Sequence, residues 1–272
     1  MELPLVHDRR LRSKIQIFAR VGYAARATVY FLMGLFALLL ATGNSEGKAT
    51  DSKGTLRELL EHRFGTAFLL VLAVGLFCYA IWRLYETFAD PTHEGTKAKG
   101  LMKRAGFLIG AIGHGSLGIY ALNLIFYFSQ PKGAAEQSYA HKMLTLPFGQ
   151  ILTGAVGAGI VAFGLSQFFV AIKEKFCKTL DIPSDKRDVV VPVCKFGLMA
   201  RGAVFALIGW FFIQAALHYS SREAGGIARA WQVLREQPFG NYLIAVVALG
   251  FLSFGIYGAV EALYDRTPAQ AT

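Results

Sequence analysis

Six blocks of twenty-odd apolar residues, at 18–41, 66–87, 105–128, 150–172, 196–217 and 241–263, set the limits on what this chain can fold into. Each is close to the ~20 residues with which an α-helix crosses the hydrocarbon of a bilayer. Across the whole chain 54% of residues are hydrophobic, 13% are aromatic and the mean hydropathy is +0.42, a membrane-protein composition. The expectation is an all-α polytopic membrane protein of six transmembrane helices whose first partner is the lipid bilayer.

The blocks are written three times over. On a helix, positions four apart share a face, so Gly22, Arg26, Tyr30 and Gly34 form one stripe on the first block. Gly197, Arg201, Phe205 and Gly209 repeat it on the fifth, and Gly110, His114 and Gly118 give a copy on the third with histidine in place of arginine. The second helices repeat as well: Phe64-Gly65, Phe148-Gly149 and Phe239-Gly240 open them, and Gly75, Gly159 and Gly250 follow ten residues after those glycines. From first-helix glycine to second-helix glycine the separations are 43, 39 and 43 residues (22 to 65, 110 to 149, 197 to 240). Self-similarity of this kind marks tandem units. The organisation expected is a basic segment at 1–17, helix-pair repeats at 18–90, 101–178 and 193–265, and a tail at 266–272.

The formal charge is +10, but the lysines and arginines gather between the blocks, as membrane topology places them, and form no single basic face for nucleic acid. The segment before residue 21, the connections 89–104 and 173–195 and the tail together hold sixteen; the connections 43–65, 129–148 and 219–239 hold nine. Both termini are therefore expected in the cytoplasm, with the three hairpins parallel and related by a pseudo-threefold axis along the membrane normal. The basic start of the chain imitates a signal peptide. Its apolar block is too long for one and recurs twice, so it is read as a retained helix. The three connections on the opposite side each carry a short amphipathic stretch, with Leu56, Leu59 and Leu60 on one face, and Ile227, Trp231 and Leu234 on another. Short helices at the interface are expected there.

The pattern A-R-x-G-Y-x-A-R-x-x-V-Y at 19–30, its partial copy at 197–205, the Gly-His-Gly of the middle unit and the Pro-Phe-Gly openings resemble a bacterial membrane family catalogued as domain of unknown function 1206. In that family the two-helix unit also occurs three times. The resemblance implies a bacterial inner-membrane protein and carries over no reaction, substrate or cofactor. The middle unit departs from the pattern, with His114 for arginine and no acid at the end of its second helix.

An arginine inside an apolar span costs ~2.5–3.5 kcal/mol on insertion scales, so Arg26 and Arg201 need compensation. Glu86 and Glu261 end the second helices of the same repeats. The helical rise puts Arg26 and Glu86 at depths that differ by ~6 Å, within an arginine's reach, so ion pairs Arg26–Glu86 and Arg201–Glu261 inside each hairpin are one expectation. The other has Arg26, His114 and Arg201 converge on the axis as a site for an anion or lipid headgroup, which needs a bound anion or Glu86 and Glu261 to relieve repulsion. Gly106, Gly110 and Gly118 on one helix, and Gly154, Gly157, Ala158 and Gly164 on the next, read as packing surfaces. Gln167 occupies the repeat position of Arg83, so both should face one polar seam.

Catalytic signatures are absent: no HExxH, GxSxG or Walker loop occurs. Cys78, Cys177 and Cys194 show no CxxC spacing, and His62, His141 and His218 make only a weak metal set, so no metal or cofactor is expected. The functional expectation is a non-enzymatic membrane protein that binds partners, other membrane proteins or itself, as an accessory subunit; the alternative is a small transporter or channel for an anionic or lipid substrate.

Overall fold

The computed structural model describes residues 9–43, 51–91, 94–127 and 135–266. Six long helices correspond to the six blocks: α1 (Arg9–Ala41), α3 (Gly65–Ala89), α4 (Ala98–Tyr127), α6 (Gly149–Ile172), α7 (Ser184–Leu217) and α9 (Gly240–Tyr264), each long and apolar enough to cross a membrane. Three short helices lie between them: α2 (Ser52–Leu60), α5 (Ala135–Leu144) and α8 (Ile227–Glu236). The amphipathic stretches are thus helical. Leu56 of α2 is fully buried with Leu59 and Leu60 packed beside it, and Trp231 of α8 is 3% exposed, edge-on to Phe251 at 5.6 Å.

The first helices of the repeats run past their apolar blocks. α7 begins at Ser184, so the polar stretch expected to be a connection before residue 196 is largely helical, and Pro192 is held within it. The basic N-terminal segment 1–17 is helical from Arg9 onward; its residues 1–8, and the tail beyond Arg266, lie outside the described residues. At this end of the molecule the chain after α6 forms a 3-10 turn at Lys175–Lys178 and clasps the end of α9, with Leu180 bridging Asp265, Asp181 paired with Arg266, and the Asp181 amide donating to the Tyr264 carbonyl at 2.9 Å.

The Phe-Gly openings do one job three times. A Cβ on Gly65, Gly149 or Gly240 would stand 2.6–2.8 Å from the carbonyl oxygen of Leu60, Leu144 or Leu234, at the end of the preceding short helix. Only glycine lets the span start against that helix end. The chain turns sharply there, with Phe148 and Phe239 in the left-handed region at φ 62° and 60°. Phe64, Phe148 and Phe239, each at the start of a span, are 76%, 81% and 79% exposed, an exposure that a membrane-water interface accepts for aromatic rings.

The long helices form a ring in the order α4, α3, α1, α9, α7, α6. The most extensive packing joins successive repeats: α3 with α4, α6 with α7, and α9 back to α1. Small residues make these seams close. Gly157 and Gly164 lie on Gly209 and Gly202 of α7, and Gly34 lies on the α9 backbone beside Leu252. Within repeats, α1 packs on α3 and α7 on α9, but among the described residues α4 and α6 share no extensive packing. The pseudo-threefold ring is open at the middle hairpin, and α6 and α4 are the least buried of the spans.

Candidate functional site

Glycine and aromatic residues bring the intramembrane charges together. A Cβ on Gly22 would lie 2.6 Å from the Tyr79 backbone nitrogen, so its absence lets α1 press onto α3; Gly197 does the same on α7, against the Phe254 backbone of α9. Tyr79, Phe163 and Phe254 are equivalent positions, each 14 residues after the opening glycine of its helix. They line the inside of the ring. The Tyr79 hydroxyl accepts from Arg26 Nη1 at 2.9 Å and from Arg83 Nε at 2.8 Å, and its ring meets the His114 ring edge-on at 4.5 Å. Phe254 lies between Arg26 and Arg201, whose guanidinium carbons stand 5.4 and 4.7 Å from its centroid, within cation-π range.

Arg26 is 6% exposed and pairs with Glu261, not with Glu86 of its own hairpin. The physical reason is the packing. α1 is in more extensive contact with α9 of the third repeat than with α3, and Gly255 and Gly258 let α9 approach Ala27 closely, so Glu261 arrives beside Arg26. Glu86 is taken by Arg83 one turn away on the same helix, Nη1 to Oε2 at 2.7 Å. Arg201, expected to pair with Glu261, instead donates from Nη1 to Gln167 Oε1 of α6 at 3.3 Å and sits among the rings of Tyr30, Phe163, Phe205 and Phe254. Among the described residues Arg201 meets no carboxylate, and its Nε is buried with no hydrogen-bond partner.

His114 is partly buried on α4, with Nδ1 donating to the Gly110 carbonyl at 2.9 Å. Its ring stands against Tyr79, which binds Arg26 and Arg83, and it shares a cavity wall with Tyr30, whose ring Arg201 overlies. The three repeat-equivalent groups therefore converge, and Glu86 and Glu261 stand with them. A cavity of about 220 Å³ runs from Tyr30, Gly113 and His114 toward Asp51, Ser52 and Lys53 at the start of α2 and Ile227 of α8. Arg83 and Gln167, at equivalent repeat positions, take different partners: Arg83 binds Tyr79 and Glu86, and Gln167 accepts from Arg201. The hub itself, Tyr79, and the Arg83–Glu86 pair were not singled out from the sequence. The i,i+3 spacing of Arg83 and Glu86 carried the signal for the pair; nothing local marked Tyr79, which matters because of what two other helices, α1 and α4, bring to it.

The glycine faces divide. A Cβ added to Gly118 would stand 3.2 Å from the Phe77 ring, and Gly157 and Gly164 are packed, whereas a Cβ on Gly106 would meet nothing within 4 Å and one on Gly110 only the Arg83 side chain at 4.0 Å, so α4 lacks the packing partner expected along that part of its face. The reason is the open hairpin. Among the described residues no group of three His, Cys, Asp or Glu could hold a metal ion.

The family model for Domain of Unknown Function (DUF1206) matches the chain three times, at residues 21–90, 105–174 and 196–265. A relative in Bacillus subtilis (strain 168), uncharacterized protein YxxB, is 31% identical over 255 residues, covering 93% of this chain and 92% of its own. No solved structure matches. Three tandem copies of the family's unit, folded as three membrane-crossing helix pairs, identify the chain as a member of the DUF1206 family.

Proposed function

We propose that this integral membrane protein binds an anionic ligand inside the open ring, with Arg201 and His114 as the groups that meet it. The observation that carries the reading is convergence: Arg26, His114 and Arg201 gather around Tyr79 and Phe254 instead of each turning into its own hairpin. Arg26 and Arg83 each have a carboxylate, while among the described residues Arg201 has a neutral amide as its hydrogen-bond partner and no carboxylate. A guanidinium in that environment gains most from a second charged acceptor, and a phosphate offers it oxygens in the fork geometry it prefers. Binding of this kind is the first step of a small carrier for an anionic or lipid substrate, and the reading assigns the chain no enzymatic step.

The excess of lysine and arginine on the terminal side, sixteen against nine, supports cytoplasmic termini in the inner (plasma) membrane of a bacterium. Reporter fusions in the 89–104 and 173–195 connections should report the cytoplasm, and an external signal from either overturns that orientation. Binding is tested with purified protein in phosphatidylcholine nanodiscs, titrated with radiolabelled inorganic phosphate or loaded with phosphatidic acid. Arg201→Gln should weaken whichever anion the wild type binds by tenfold or more; unchanged binding refutes the site. The second reading, an accessory subunit that docks other membrane proteins or a second copy, is favoured by the largely uncovered surface of α6. Co-purification of a stoichiometric partner from native membrane would support it.

A further inference from the structure

The middle hairpin is open at one particular pair of positions. In the first repeat Gly75 of α3 receives the Cβ of Ala25, the residue before Arg26; in the third, Gly250 of α9 receives the Cβ of Ala200, the residue before Arg201. The equivalent pair in the middle repeat is Gly113, the residue before His114, and Gly159 of α6. Both are glycine, and a Cβ added to either meets nothing within 4 Å. The contact that closes the other two hairpins is missing here, on both sides of the same gap.

The gap has a bottom, a rim and an entrance. At the bottom stand His114, on α4, and Arg201 with its amide partner Gln167, on α7 and α6, with Tyr30 between them: it lines one cavity with His114 and its ring lies under Arg201. At the rim, the residues that share a helix face with the two glycines are apolar and exposed: Ile109 on α4 and Phe163 on α6. Toward the end that carries the termini, the α4 side of the gap continues to Gly106, where an added Cβ meets nothing within 4 Å; Arg104, on the opposite face of α4, donates to the Thr87 carbonyl of α3 and marks the edge of the apolar span. Ten residues from Arg104 to His114 correspond to ~15 Å of helix, and six from Lys195 to Arg201 to ~9 Å. Arg201 is therefore about two turns below the interface, within reach of a headgroup sinking from that leaflet. A water-soluble anion gains nothing from such a route, because its flanks are lipid-facing hydrocarbon.

From this, and resting on the anion-binding reading above, we infer that the ligand is an anionic lipid that enters sideways between α4 and α6, its phosphate reaching Arg201 and His114 while its acyl chains stay against the apolar rim. The commitment to a lipid comes from charge and surroundings together: a guanidinium that meets no carboxylate among the described residues, beside a gap flanked by exposed apolar side chains, while the polar cavity toward Asp51, Ser52 and Lys53 lies on the other side of His114. The two glycines leave the slot wide where the phosphate must pass.

The test uses the full chain in phosphatidylcholine nanodiscs, with two probes, dioleoyl phosphatidic acid counted by native mass spectrometry and glycerol 3-phosphate measured by equilibrium binding. The double variant Gly113→Leu, Gly159→Leu places side chains in open space, and size exclusion and thermal unfolding confirm that it folds. Wild type should retain phosphatidic acid at least tenfold over phosphatidylcholine and bind glycerol 3-phosphate far more weakly, and the double variant should lose that preference. Two results would overturn the lateral lipid route while leaving the anion site intact: a double variant that keeps the preference, or wild type that binds the soluble probe as well as the lipid. Loss of a wild-type dimer in the double variant, with lipid binding unaltered, would make the slot an interface between copies and overturn it too. Retention of every bound anion by Arg201→Gln would overturn the underlying site instead.

Discussion

Replacing Glu261 with glutamine keeps the size of its side chain and removes its charge, which isolates the contribution of the ion pair that joins the first repeat to the third. Arg26 and Glu261 are 6% and 8% exposed, so little solvent screens them. Breaking a buried pair by removing one partner costs about 3–5 kcal/mol. Glutamine still offers an acceptor oxygen, and Arg26 keeps the Tyr79 hydroxyl and the Tyr23, Tyr79 and Phe254 rings, which favours the lower end. About 3 kcal/mol corresponds to a fall of about 6–12 °C in Tm for a chain of this size. Thermal unfolding in detergent, followed by tryptophan fluorescence, reads it. The decisive comparison is a double-mutant cycle. Arg26→Met combined with Glu261→Gln should recover most of the loss, because neither charge is then stranded, whereas Arg26→Met with Glu86→Gln should not. A cycle in which Arg26 couples more strongly to Glu86 than to Glu261 would refute the inter-repeat pairing and with it the account of how the charges converge.

Gly250→Leu, which must displace Ala200, should destabilise by about 1–3 kcal/mol in the same unfolding assay, while Gly159→Leu at the equivalent position of the open hairpin should be close to neutral. Trp231→Ala removes a ring that is 3% exposed and packed on Phe251, so α8 should loosen with a loss of about 3–5 kcal/mol, measurable as faster proteolysis in the 219–239 connection. Burial pushes the Cys177 thiol above its usual range, so less of it is thiolate at neutral pH than in a free cysteine. In a Cys78→Ala, Cys194→Ala background its maleimide labelling should be slow at pH 7 and rise steeply as pH increases toward and past the ordinary thiol range; labelling at pH 7 as fast as free cysteine would contradict that burial.

The six spans, the three short helices and the threefold repetition were legible because each rests on local signals: twenty apolar residues in a row, leucines at helical spacing, a Phe-Gly that recurs at fixed distance. Arg26, His114 and Arg201 were legible as a set for a related reason, since they hold one position in three copies of one unit. Their partners were not. Depth along the membrane allowed Arg26 to meet either Glu86 or Glu261, and depth is all that the helical rise supplies; the choice depends on which helix stands next to α1, and α9, from the other end of the chain, packs there more closely than α3.

What the sequence determined by itself is therefore the inventory: a membrane-embedded all-helical chain, built from one duplicated pair, with three guanidinium groups, two carboxylates and a histidine inside its apolar spans. What only the tertiary structure decided is the ring order, the assignment of Glu261 to Arg26 and of Gln167 to Arg201, and the opening between α4 and α6. A glycine in a sequence declares that backbone could approach there, never that it does. Gly75 and Gly250 receive a neighbour and Gly159 receives none, because closure depends on the whole face presented opposite, where Ala25 and Ala200 supply a methyl group and Gly113 supplies nothing.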